Sequence, residues 1–191
     1  MYVTKDPSGT GEKAIRALRQ AIKIYDHAFR GNHPDAARAH TFLGNILDLL
    51  GRGEDAEAEY RSALEIREAV IGGLSLDTAE SLGFLGQNLT QQNKIADAYV
   101  VQQRRLTILQ KILDSNPGPP PPPPREVVNA MAMTHYNLAV LQEAQRRWSE
   151  MASHAVAAAD LYASLQLVED EQDARQLVLD AARLTGESAS A

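Results

Sequence analysis

Residues 35–47 read DAARAHTFLGNIL, and residues 77–89 read DTAESLGFLGQNL. Asp35, Ala37, Phe42, Leu43, Gly44 and Leu47 meet Asp77, Ala79, Phe84, Leu85, Gly86 and Leu89 at one constant spacing of 42 residues. The register continues without a gap: Arg52 meets Lys94, Asp55 and Ala56 meet Asp97 and Ala98, Leu64 meets Leu106, and Ile66 meets Ile108. A unit of this length copied in tandem marks a repeat architecture, in which one copy cannot bury its apolar face alone and its neighbours complete the core.

Working outward, the same step backwards places Gly11, Ala14, Leu18, Ala21 and Ile24 opposite Gly53, Ala56, Tyr60, Ala63 and Ile66, so a half-repeat precedes the first full unit. A third unit begins near Val127, where His135, Leu138 and Ala139 match His40, Leu43 and Gly44, and Trp148 stands where Gly53 did. Leu85 and Leu138 are 53 residues apart, an excess of 11 over the repeat. The excess coincides with Asn116, Pro117, Gly118 and the six prolines that begin with Pro119 and end with Pro124.

Each unit reads as two helices. Pro34 suits a first helical position, because its missing N–H has no partner to lose there. The helix it opens runs to about Leu50, and Gly51, Arg52 and Gly53 break it. Glu54 to about Ile71 forms the second helix, which ends on Gly72 and Gly73. In the next unit Ser75 or Asp77 can cap, Gln92, Asn93 and Lys94 turn, and the second helix spans about Ile95 to Leu113. Small residues at Gly44, Gly86, Ala139, Ala56, Ala98 and Ala63 let the backbones approach, while Leu43, Leu47, Tyr60 and Leu64 fill the rest. The resulting division is a flexible amino end (1–10), a half-repeat helix (11–30), two repeats (31–71 and 72–113), a proline-rich inserted loop (114–126), a third repeat (127–168), a capping helix (169–184) and a flexible tail (185–191).

Composition agrees with an all-α chain. It is 44% hydrophobic and 23% charged, with only 5% aromatics over 191 residues. A net charge of -6 argues against a phosphate-neutralising surface and hence against nucleic acid. With no cysteine, thiolate chemistry, disulfides and cysteine-bound metals are excluded. Neither a signal-like apolar stretch at the amino end nor a run of membrane-spanning length is present in the sequence, so no membrane association is expected and cytoplasm is the default location.

Leu43, Gly44, Ala56, Tyr60 and Ala63 match the tetratricopeptide pattern of large residue, Leu-Gly, Ala, aromatic and Ala. The long period, the Gly31-Asn32-His33-Pro34-Asp35 segment that opens the unit and the run from Tyr60 to Glu68 that closes it resemble the repeats of kinesin light chains. The resemblance covers residues 11–165 and implies an all-α tetratricopeptide-type solenoid of helical hairpins, wound as a right-handed superhelix with a concave inner surface. It implies a protein-interaction adaptor rather than an enzyme, with no cofactor. Two departures limit it. The family's paired asparagines are replaced by Thr41 and Phe42, Gly83 and Phe84, and Tyr136 and Asn137, so only Asn137 remains, and the ten residues before the half-repeat do not supply a heavy-chain coiled coil.

The concave surface is expected to be lined by the first helices, at Arg38, Thr41, Asn45 and Asp48, then Glu80, Gly83, Gln87 and Gln91, then Met133, Tyr136, Asn137 and Glu143. Amide side chains there can bond an extended peptide's backbone whatever its sequence, with Tyr136 and Met133 offering apolar contact. Arg38 is the lone cation of the set, so acidic carboxy-terminal tails are poor ligands. The proline run could be read by an SH3, WW or profilin-type partner, or serve as a stiff exposed spacer. The half-repeat helix lacks its hairpin partner and offers an edge for self-association or a partner.

Other chemistry-bearing residues read as structural. His40 and His135 share a repeat slot that faces the paired helix, a packing signal. His27 and His33 flank one loop without a third metal ligand at helical spacing, and His33 belongs to a helix start. Glu54, Asp55, Glu57 and Glu59 sit where a helix begins and its dipole favours acids, as do Glu169, Asp170 and Glu171. No serine–histidine–acid order, phosphate loop or zinc-peptidase motif is present, and Gly51-Arg52-Gly53 is a turn. A regulatory or docking piece of a larger enzyme or signalling protein, or a structural fragment with no ligand, are the alternatives.

Overall fold

The computed structural model describes residues 9–115 and 124–186. The proline run up to residue 123, residues 1–8 and residues 187–191 lie outside the described residues, and with them most of the expected flexible ends, the inserted loop and its SH3, WW or profilin-type docking site. Every regular element among the described residues is an α-helix: α1 (Thr10–Phe29), α2 (Pro34–Leu49), α3 (Gly53–Val70), α4 (Leu76–Gln91), α5 (Ile95–Asp114), α6 (Arg125–Ala144), α7 (Trp148–Leu165) and α8 (Val168–Thr185). The chain divides into two compact units at Lys94 and Ile95. The first holds α1 to α4 and the second α5 to α8.

Local signals explain the boundaries of the first unit. Arg30 and Gly31 take left-handed φ values of 54° and 74° and end α1. His33, extended at φ -139°, caps α2 through Nδ1, which accepts from the Asp35 N–H at 3.1 Å, and Pro34 follows in the first turn. Its ring stacks on Tyr25, with centroids 5.4 Å apart, so the cap also anchors the end of α1. Of the two expected caps of α4, Ser75 serves: its Oγ accepts from the Thr78 N–H at 3.1 Å.

Packing within this unit follows the small-residue slots. A Cβ built on Gly44 would lie 2.6 Å from Cε1 of Tyr60, so α2 and α3 approach at a distance only glycine allows. Arg67 of α3, though buried, donates to the Asp77 carbonyl at 2.8 Å and to Ser81 Oγ at 2.7 Å, which ties α3 to α4 with charge-assisted bonds. α1 buries Ile15 and Ile22 and leaves Ala14, Leu18, Ala21 and Tyr25 half-buried. At the equivalent positions of α3, Ala56, Tyr60, Ala63 and Arg67 are all buried.

In the second unit α6 begins directly after Pro124, whose carbonyl accepts the first helical N–H bonds from Val127 and Val128 at 2.9 and 3.1 Å. That start precedes by two residues the one expected near Val127, because proline itself serves as the flanking residue. Ala132, Ala158, Ala159, Tyr162 and Ala174 form one buried cluster, and Ala139, Met151, Ala155 and Ala181 another, so α6, α7 and α8 meet through small side chains. α8 keeps Glu169, Asp170 and Asp173 exposed.

Candidate functional site

The 42-residue register gives Asn45 and Gln87 one repeat slot and Leu49 and Gln91 another. In the first unit these four residues, with Asp48, Tyr60 and Phe84, line one cleft of about 340 Å³. α2 supplies Asn45, Asp48 and Leu49 from its last turns, α3 supplies Tyr60, and α4 supplies Phe84, Gln87 and Gln91. A second recess of about 400 Å³ shares Asp48 and Gln91 and adds Gly51, Gly53, Glu54, Asn88, Gln92 and Lys94.

A polar network floors both recesses. The Tyr60 hydroxyl reaches Asn45 Oδ1 at 2.8 Å and Asp48 Oδ2 at 3.0 Å, and its ring stacks on Phe84 at 5.9 Å with planes 10° apart. Asn88 donates to Asp48 Oδ1 at 2.6 Å and to the Gly53 carbonyl at 3.0 Å. Gln92 donates to the same carbonyl and to Glu57, which also takes Lys94 Nζ at 2.7 Å and Arg61 at 2.8 Å. Burial pushes the Asp48 carboxyl above its ordinary value, against the pull of the Asn88 and Tyr60 bonds. Burial also acts to raise Glu57, but its bonds from Lys94, Arg61 and Gln92 together outweigh it and hold the carboxyl below the usual range. Burial and the Asp48 charge raise the Tyr60 phenol, which therefore stays protonated and able to donate.

Of the expected lining residues, Asn45, Asp48, Gln87 and Gln91 come together here. Thr41 does not belong to an accessible wall: it is buried, and its hydroxyl turns back to the Ala37 carbonyl at 3.0 Å, as threonine in a helix interior often does. Gly83 is likewise buried. Arg38 and Glu80 are exposed outside the cleft lining, and Arg38 pairs with Asp35 at 3.2 Å on its own helix. Met133, Tyr136 and Asn137 stand half-buried on α6 in the other unit. Met133 and Tyr136 pack on the Ala132 and Tyr162 cluster, and burial with the nearby Asp173, Glu143 and Asp170 raises the Tyr136 phenol. Leu49, Tyr60 and Phe84 were not read as lining residues. Phe84 occupies a slot that holds asparagine in kinesin light chains, which was the available signal, whereas Tyr60 read as core and is indeed only 3% exposed.

The remaining polar groups do structural work. His40 faces α3, with Nδ1 2.7 Å from Glu59 Oε2, and His135 faces α7, with Nδ1 2.8 Å from Nδ1 of His154. Burial and the His154 charge lower His135 to about 4, and burial lowers His154. Asp55 pairs with Arg52 at 2.6 Å, a local contact across the start of α3. No group of three metal-ligating side chains occurs among the described residues. No helix among them is long and apolar enough to cross a membrane.

The chain resembles the structure described as a kinesin light chain with nearly identical TPR-like repeats from Podosopora anserina, with a TM-score of 0.71 and 16% identity over 93% of this chain and 80% of that one. A variant of the same protein gives a TM-score of 0.72 at the same identity and coverage. BtubC (BKLC) from P. vanneervenii matches with a TM-score of 0.64 and 22% identity over 93% of this chain and 74% of that one. These likenesses establish the fold, an all-α helical repeat of kinesin light chain-like type. Among curated proteins compared by sequence, none matches the chain. The tetratricopeptide repeat profile matches residues 8–68 and 43–111, more than half of the 191 residues. The chain therefore belongs to the tetratricopeptide repeat family, whose members are non-catalytic protein-interaction scaffolds.

Proposed function

We propose that this scaffold holds an extended segment of another protein against α2 and α4, with repeats at 31–71, 72–113 and 127–168 as its building units. The observation that carries the reading is the cleft itself, where repeat register brings Asn45, Gln87 and Gln91 beside the Tyr60 and Phe84 rings. Gln87 and Gln91 are exposed and make no side-chain hydrogen bond among the described residues, so each amide can offer a donor and an acceptor to a peptide backbone. The half-buried Phe84 ring and the exposed Leu49 supply apolar area beside those amides. Met133, Tyr136 and Asn137 are proposed as a separate contact patch on the second unit, and cytoplasm as the location.

The test begins with peptides selected from a random library against the whole chain. Substituting Gln87→Ala together with Gln91→Ala removes no side-chain hydrogen bond among the described residues, so helicity stays constant while affinity falls by about tenfold, roughly two modest hydrogen bonds. Unchanged affinity for every selected peptide refutes the cleft as the site.

A second surface is proposed for self-association through α1. Its Ala14, Leu18, Ala21 and Tyr25 stripe is half-buried where the matching stripe of α3 is covered, and Ile24 and Phe29 are 60% and 48% exposed.

A further inference from the structure

We propose that the cleft between α2, α3 and α4 selects a cationic, apolar peptide segment, a lysine or arginine beside a leucine-like or aromatic residue. This deepens the peptide-binding reading and rests on it.

Three observations point to a cation. The first is an excess of acceptors. The single Tyr60 hydroxyl proton faces both Asn45 Oδ1 and Asp48 Oδ2, at 2.8 and 3.0 Å, and can serve one at a time. Turning the Asn45 amide would satisfy that oxygen pair, yet a carboxylate has about four lone-pair sites, and Asp48 fills at most two of them with Tyr60 and Asn88. An ammonium carries three N–H donors and a guanidinium five, with no acceptor to compete.

The second observation is charge. Asp48 is the one ionisable acid or base lining the smaller recess besides the neutral phenol, and the larger recess adds Glu54 and Lys94. The Lys94 ammonium is taken by Glu57 at 2.7 Å, so the field inside is set by Asp48 and Glu54. The half-buried Asp48 carboxylate has already lost part of its hydration and gains more from an arriving cation than an exposed acid would. A glutamate side chain placed there would meet that charge without a counter-ion.

The third is helix polarity. The cleft is built from the last turns of α2 and α4, the negative ends of their helix dipoles, and neither last turn carries a basic residue. The positive end of α3 borders the larger recess only, where Glu54 and Asp55 stand in its first turn. Apolar recognition then comes from the surroundings: the half-buried Phe84 ring, backed by Tyr60, and Leu49, 74% exposed, can cover the methylene stem of a lysine or arginine and seat its apolar neighbour.

The experiment uses the full chain and synthetic peptides that share one apolar core and carry arginine, serine or glutamate on its flanks. Affinities are measured by fluorescence anisotropy at low and raised salt, and the contact surface by amide chemical shifts. Arginine-flanked peptides should bind at least about tenfold more tightly than glutamate-flanked ones, with the difference shrinking in salt as screening predicts. Asp48→Asn, which keeps the side chain's shape and an acceptor oxygen for the Asn88 amide while removing the charge, should remove most of that preference, and Glu54→Gln, at an exposed position, a smaller part. Equal or better binding of the serine- or glutamate-flanked peptides at the same shifted residues overturns the charge selection and leaves a peptide groove. If no peptide of any class shifts Leu49, Phe84, Gln87 or Gln91, both this proposal and the groove reading fail.

Discussion

Gly44→Ala tests the contact on which the first hairpin and the cleft both depend. The added methyl carbon would sit 2.6, 2.9 and 3.0 Å from Cε1, Cδ1 and Cζ of Tyr60, well inside ordinary van der Waals separation. Tyr60 is 3% exposed, and its ring is held by the Phe84 stack while its hydroxyl is held by Asn45 and Asp48. The ring therefore cannot step aside without loosening one of them. Overpacking of a filled core costs about 1–3 kcal/mol, and three such contacts on a braced ring place this site towards the upper part of that range. Replacing glycine by alanine within a helix returns about 1 kcal/mol through propensity. The net expectation is a loss of about 1–2 kcal/mol, the difference of those two terms. Urea unfolding followed by circular dichroism measures it, and a double-mutant cycle with Tyr60→Leu tests the cause, because the smaller side chain should relieve most of the strain. A stability gain near the propensity value would refute the reasoning, since it would mean that the ring moves freely and does not set the spacing of α2 and α3.

Two further outcomes follow from the geometry. His135 has its folded value lowered from 6.5 to about 4, so the folded state resists a proton that the unfolded chain accepts. Its contribution is intact above about 6.5 and is lost as pH falls from there towards 4. His135→Leu, which installs the residue found at Leu82 in the same slot, should flatten thermal stability over that window, and an unaltered acid profile would count against the His135–His154 pair as its source. The α1 stripe should cause concentration-dependent association that Leu18→Glu abolishes in sedimentation experiments. A protein that remains monomeric with and without the substitution shows that this face does not mediate self-association.

Much of the fold was legible because repetition acts as an internal control. A glycine or leucine alone says little, but Leu43 and Gly44 returning as Leu85 and Gly86 at a fixed interval say that one packing environment occurs twice. Helix ends were readable for the same local reason: Pro34, Ser75 and Gly51 act through their own backbone and nearest neighbours. The shared slot of His40 and His135 announced contacts to the paired helices, and both contacts are present. The candidate site was half legible. Periodicity located Asn45, Asp48, Gln87 and Gln91 on the lining of the cleft but also nominated Thr41, which a helix can turn inward with a rotation of a few tens of degrees.

The amino-acid order by itself thus determined the helices, the repeat and the slots in which small and large residues alternate, because these depend on backbone sterics and on periodicity along the chain. Only tertiary structure decided that Tyr60 meets Phe84, that the half-buried Asp48 is held by the Asn88 amide, and that Lys94 is engaged by Glu57. Those facts join residues 24 to 40 positions apart through the crossing of helices, and a carboxylate's hydration or a cation's freedom is set by the atoms that crossing brings alongside, on which one-dimensional spacing is silent.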